Sequence, residues 1–158
     1  MKRKIITMML AALPVFGAIP VMAEEPLYIS VVSKGEQHAF WQTVRKGCEA
    51  AAEELGVDMF YYGPPSESDI ALQVEALNGE MQKKPDAIAL AALSTESVMA
   101  QLNDCVSQGI PVIGFDSGVP NAPEGAIYAT ASTDNQNAAA IAADKMMEED
   151  SLIEKMKN

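Results

Sequence analysis

Basic residues are scarce. Eleven lysines and arginines stand against 22 aspartates and glutamates in 158 residues, a formal charge of −11. A chain this acidic lacks the cationic footprint that a phosphate backbone requires, so nucleic acid is not an expected partner. Cysteine is scarcer still. Cys48 and Cys105 are the only two, too few for a disulfide scaffold, and no C-x-x-C pair offers metal or redox chemistry. There is a single histidine, His38, and no H-E-x-x-H, EF-hand, P-loop or G-x-G-x-x-G pattern. No metal, nucleotide or other cofactor is therefore expected. What remains is ordinary: 49% hydrophobic and 21% charged residues fit one packed domain rather than a disordered chain.

The one long apolar run lies at the start. Lys2, Arg3 and Lys4 precede an apolar stretch from Ile5 to about Val21, and Val21-Met22-Ala23 places small residues where a signal peptidase reads. Cleavage after Ala23 is expected. Pro14, Gly17 and Pro20 interrupt the run, which disfavours a membrane span of about 20 residues. No cysteine follows to carry a lipid. The mature chain would then be 135 residues long with a charge of −14, exported to the periplasm or secreted, and without stable membrane insertion.

Beyond that segment, apolar β-rich runs alternate with helical patterns. Strands are predicted at Leu27–Val32, Val57–Tyr62, Ala87–Ala92, Pro111–Phe115 and, shorter, Ala126–Ala131. The first helix carries Trp41, Val44, Cys48, Ala51, Ala52 and Leu55 at spacings of three and four and stops at Gly56. The second carries Ile70, Val74, Leu77 and Met81, after capping residues from Ser66 to Asp69. The third carries Val98, Leu102, Cys105 and Val106, capped by Ser94-Thr95-Glu96 and ended by Gly109. Thr133 and Gln136 form a capping box for a last helix from about Asn135. Strands separated by helices imply right-handed crossovers, hence an α/β doubly wound parallel sheet, with strand order 2-1-3-4 plus the short fifth strand. The first helix then lies on one face and the second and third on the other. That arrangement keeps Cys48 and Cys105 apart, beyond the roughly 7 Å between Cα atoms that a disulfide allows.

In such a sheet, ligands bind beyond the carboxyl ends of the strands, at the point where strand order reverses. Ser33, His38, Phe40, Trp41, Asp116 and Ser117 all fall on that edge. Phe40 and Trp41 are neighbours about 100° apart on a helix, so one of them must face the crevice, where a flat ring suits the C–H face of a sugar. Asp116 can accept from two hydroxyls at once. Ser33, His38 and Asp116 also raise a Ser/His/Asp hydrolase as an alternative, but Val31-Val32-Ser33-Lys34-Gly35 lacks the first glycine of a G-x-S-x-G elbow. No catalytic residue is assigned, and a binder is preferred to an enzyme.

Several of these segments carry a resemblance. Tyr28-Ile29-Ser30-Val31-Val32-Ser33, Phe40-Trp41, the stretch Gly47–Gly56, Pro85-Asp86-Ala87-Ile88, the stretch Gly109–Asp116 and Ala131-Ser132-Thr133-Asp134-Asn135 together resemble periplasmic sugar-binding proteins of the ribose-binding, LacI-like type. The export signal agrees with a binder and disagrees with a repressor, which would begin with a helix-turn-helix. The resemblance implies a substrate-binding protein of an ABC sugar importer, two lobes closing on a ligand about a hinge, with an inner-membrane permease as partner. A sensor that presents ligand to a receptor is a further alternative. By position, Ser33, Phe40, Trp41 and Asp116 match first-lobe ligand contacts. The pattern departs where Asp-Arg becomes Asp116-Ser117, where Asn becomes Ala92, where His38 stands in place of a sugar-contacting Asn, and where Lys34–Gln37 holds an extra residue. These departures imply a pentose, hexose or similar small polyol-like ligand other than ribose. Proteins of this type are roughly twice as long, in keeping with two lobes of ordinary domain size. Residues 24–131 are thus expected to form the first lobe, and 132–158 the truncated beginning of a second.

Overall fold

The computed structural model describes residues 25–148 and 154–156. The expected signal segment, residues 1–23, lies outside the described residues. Five strands form one all-parallel sheet: β1 (Tyr28–Val32), β2 (Asp58–Tyr62), β3 (Ala87–Leu90), β4 (Val112–Phe115) and β5 (Ile127–Ala131), in the order β2-β1-β3-β4-β5. The connecting helices are α1 (Ala39–Leu55), α2 (Ile70–Gln82) and α3 (Met99–Gln108), and α4 (Asn135–Glu148) follows β5. The doubly wound order expected from the βα period is the order observed. Gly56 and Gly109 end α1 and α3 in left-handed geometry, at φ 65° and 71°, as C-terminal caps do.

The two faces of the sheet are not equally covered. Val32, Ile88, Leu90 and Val112 point to the α2/α3 face and pack with Leu77, Met81, Val98, Leu102 and Cys105 into one core. Burial pushes the Cys105 thiol up to about 11, which keeps it unreactive. On the opposite face, α1 lies over β1 and β2, above a groove of about 190 Å³ lined by residues such as Ile29, Val31, Cys48 and Met59. Cys48 and Cys105 are therefore on opposite faces, and both are free thiols. The apolar stripe of α1 is not core throughout: Trp41 is 3% exposed, but Leu55 is 72% exposed. Val31, Ala89, Ile113 and Ala129 form a row across this face, and Ile113 is 36% exposed. Periodicity identifies an apolar side of a helix, and the amount of sheet facing it sets how much is buried.

Two expected caps shift. α4 starts with Asp134, whose Oδ1 accepts from the Asn137 amide at 3.0 Å, one residue later than the Thr133–Gln136 box. Aspartate at the cap also complements the positive end of the helix dipole. Asp69 precedes α2, but its carboxylate accepts backward from the Ser66 amide at 3.1 Å.

Two polar side chains of α2 are buried among the apolar ones, Gln73 and Glu80. Glu80 accepts from Tyr28 Oη at 2.6 Å, from Ser30 Oγ at 2.8 Å and from Lys83 Nζ at 2.6 Å. Burial alone would raise its carboxyl, but the bonds from Lys83, Tyr28 and Ser30 outweigh that and hold it below its ordinary 4.5. A depressed folded-state value means full stabilisation above the unfolded value, lost as pH falls through the folded one. This share of the stability should therefore be present above the ordinary carboxyl value and be lost as pH falls through the lowered one. E80Q should be about 1–3 kcal/mol less stable at neutral pH and show a flatter acid limb in urea melts.

Candidate functional site

The carboxyl edge of the sheet is built from four loops. β1 exits at Ser33, whose amide donates to Tyr62 O at 2.8 Å and whose hydroxyl donates to Gly35 O at 2.9 Å and Tyr62 O at 3.1 Å. Ser33 is wholly buried, so it shapes the turn and brings Lys34 onto the edge. β2 exits at Gly63, whose α-carbon abuts the Gly35 carbonyl so closely that a side chain there would collide with it. β3 exits at Ala91, and β4 exits at Asp116.

Asp116 has a left-handed backbone, φ 63°, which is uncommon outside glycine and favours Asp and Asn among the rest. Its amide donates to Ala131 O at 2.9 Å, and its carboxylate accepts from Lys34 Nζ at 2.6 Å. β1 and β4 are not neighbours, so the Lys34 side chain reaches across the exit of β3 to meet it. The pair is partly exposed, with 17% of the Lys34 side chain and 33% of the Asp116 side chain accessible. An ion pair at such a place contributes little stability, but it presents a donor and an acceptor side by side.

The aromatic pair resolves as helix geometry requires. Phe40 is 53% exposed. Trp41 lies inside, its ring edge-to-face with Phe40 at 4.8 Å and with Phe115 at 6.3 Å between centroids. Its indole N–H donates to Glu67 Oε1 at 2.6 Å. Phe40, Phe115 and Asp116 line a depression of about 450 Å³, with Thr133 and Asn135 on its far side. His38 and Trp41 line a smaller neighbouring one of about 230 Å³, with Glu36 and Glu67. Ser117 is exposed in the turn beside Asp116. The six expected residues thus gather at one edge, with Phe40, Asp116, His38 and Ser117 at the surface and Ser33 and Trp41 behind them. Lys34 and Phe115 escaped the sequence reading. Alternation along β4 could have flagged Phe115, which follows Ile113 on the α1 face.

A Ser/His/Asp chain is not formed among the described residues. Ser33 donates to carbonyls and Asp116 is paired with Lys34, while His38 is exposed at the start of α1. No group of His, Cys, Asp and Glu there could hold a metal ion.

A five-stranded parallel sheet in this order matches a lobe of the periplasmic binding proteins, as comparison with known proteins shows. Residues 29–151 match the periplasmic binding protein domain, and the chain belongs to that family, which is one of substrate-binding proteins. It is 29% identical over 90 residues to the D-allose-binding periplasmic protein of Escherichia coli K12, a match covering 57% of this chain and 29% of that one. A Brachyspira murdochii structure, described as an ABC transporter, LacI family transcriptional regulator, is 53% identical with a TM-score of 0.72, covering 78% of this chain and 39% of its own. A solute-binding protein from Agrobacterium vitis with bound D-fucose is 32% identical with a TM-score of 0.70, covering 77% of this chain and 42% of its own. One from Agrobacterium radiobacter in complex with D-arabinose is 28% identical with a TM-score of 0.68, covering 77% and 40%. The chain spans about two-fifths of the length of these structures and under a third of the curated relative. No helix among the described residues is long and apolar enough to cross a membrane.

Proposed function

We propose that this chain supplies the first lobe of the substrate-binding component of an ABC-type sugar importer, and that its carboxyl edge holds a monosaccharide or similar polyol-like ligand. The observation that carries this reading is an exposed aromatic ring, Phe40, lining the same depression as Asp116, whose carboxylate is paired with Lys34. A sugar ring has one face of C–H bonds and a perimeter of hydroxyls. Phe40 suits the face, and Asp116 accepts from neighbouring hydroxyls while Lys34 donates to them through charge-assisted bonds. His38 and Ser117 stand at the rim as further polar contacts, and Ser33 and Trp41 hold the contacting residues from behind. Nothing in this role needs a reaction, so the protein binds and releases its ligand unchanged.

A pocket for a small ligand buries most of the ligand surface, which one open edge does not do. Residues 24–131 are therefore read as one wall, and 132–158 as the beginning of the other. α4 supports this division, since none of its residues is buried and Ile141 is 55% exposed. Residues 1–23 are read as a cleaved export signal, which would bring the protein to the periplasm, where an inner-membrane permease partner could receive its ligand. Phe40→Ala in the full-length gene product should weaken sugar binding about tenfold to a hundredfold, by calorimetric titration, and leave Tm nearly unchanged because the ring is exposed. Unchanged affinity in that variant would count against the stacking role.

A further inference from the structure

Gln73 is wholly buried on the core side of α2 and has no part in the ligand contacts described above. An amide in an apolar setting is tolerated only when its hydrogen bonds are made. Here they are all directed to backbone at the carboxyl edge. Its Nε2 donates to Ser33 O at 2.8 Å and to Ala91 O at 2.9 Å, and its Oε1 accepts from the Leu93 amide at 2.8 Å.

The location explains the geometry. The ladder between β1 and β3 runs out where the Ala91 amide donates to Val32 O at 2.9 Å. Beyond that bond the strands part, because the chain leaves β1 for α1 on one face and leaves β3 for α3 on the other. The parting exposes backbone groups that no strand partner can satisfy. The Gln73 side chain inserts there as a surrogate peptide group, with two donor contacts and one acceptor contact, and carries the pairing past the end of the ladder.

We infer that Gln73 is a positioning residue for the sugar site: it clamps the loop that begins at Ser33 to the loop that begins at Ala91. Lys34 follows directly on Ser33, and its ammonium spans the β3 exit to reach Asp116. The spacing of these two loops therefore sets where the Lys34–Asp116 pair stands relative to Phe40. Gln73 does not touch the ligand. This inference rests on the sugar-binding reading for its functional consequence, though the clamp itself does not depend on a ligand.

The test compares Gln73→Met, which keeps the length without the amide, and Gln73→Asn, which keeps the amide but falls one methylene short, with Glu80→Gln. The last is buried on the same helix and serves as a stability control remote from the edge. In the full-length gene product, both Gln73 variants should bind the best monosaccharide of a panel at least about tenfold more weakly under conditions where circular dichroism shows them folded. Glu80→Gln should lower Tm and leave the affinity within about twofold. Gln73 variants that lose Tm but bind as tightly as the parent would overturn the inference, because a purely structural role predicts that. A second measurement needs no ligand. Hydrogen exchange of the Leu93 amide and of residues 33–38 should quicken in Gln73→Met by more than the loss of global stability accounts for, and in Glu80→Gln by no more than that loss. Exchange in Gln73→Met that quickens by no more than its own global loss would overturn the clamp whatever the ligand proves to be. A parent protein that binds no sugar, with quickened exchange in the variant, would refute the sugar reading and leave the clamp standing.

Discussion

Under the proposed sugar-binding role, replacing Asp116 with alanine is expected to raise the Kd of the full-length gene product for a bound monosaccharide at least about 100-fold, equivalent to roughly 2.7 kcal/mol. Two effects combine. The carboxylate is the acidic acceptor on the 450 Å³ depression, and a sugar hydroxyl that loses it would have to leave water without a partner. Its removal also frees the Lys34 ammonium, which has no other bond among the described residues to hold it over the exit of β3. The backbone sharpens the comparison. At φ 63° alanine is strained, whereas asparagine tolerates the left-handed region nearly as well as aspartate does. Asp116→Asn should therefore keep the Tm of the parent and still bind markedly more weakly, having lost the charge. Asp116→Ala should lose both binding and some stability. Calorimetric titration and thermal melts of the two variants separate the ligand role from the turn.

The second large effect is on folding. Gly63→Ala should destabilise the protein by about 3 kcal/mol, or roughly 10 °C in Tm. An added Cβ would collide with the Gly35 carbonyl group and lie 2.6 Å from Ser33 Oγ. The obstacle is backbone, already fixed by the bonds that tie Ser33 to Tyr62, so it cannot swing aside as a side chain would. Gly35→Ala provides the contrast. Its Cβ would meet Trp41 Cδ1 at 3.4 Å and Glu67 Cγ at 3.5 Å, which are ordinary contacts, and the expected change is within about 1 kcal/mol. Equal losses in the two variants would show that the β1–β2 crossing is looser than this geometry requires.

Fold and site differ in how far residues alone reveal them. The βα alternation, the strand order and the helix-ending glycines are local or periodic features, so the α/β lobe could be read before any coordinates. Exposure of α1 could not, because the stripe from Trp41 to Leu55 looks the same whether the sheet beside it is covered or bare. Gln73 and Glu80 look like solvated positions on an amphipathic helix. Their spacing from Leu77, four residues before and three after, places them on its buried side, and partners from β1 and β3 make burial tolerable. The Lys34–Asp116 pair joins residues 82 positions apart across an intervening strand exit, which no spacing rule reports. The edge itself was legible from topology, as was the outward turn of one ring of the Phe40–Trp41 pair, but only burial shows that the ring is Phe40. Which residues touch a ligand there is a matter of side-chain direction, and Ser33 and Trp41 turn inward.

Thermal-shift titration of the full-length gene product without residues 1–23, against a panel of aldoses, ketoses and polyols, is the most direct test of the sugar-binding role. At a ligand concentration of about 100 times Kd, binding to the folded state alone should add roughly 2.7 kcal/mol of stability, a rise of several degrees. Such a rise is expected for at least one monosaccharide, with its loss in Asp116→Asn. A full-length protein whose melting is unmoved by every sugar in the panel would contradict that role.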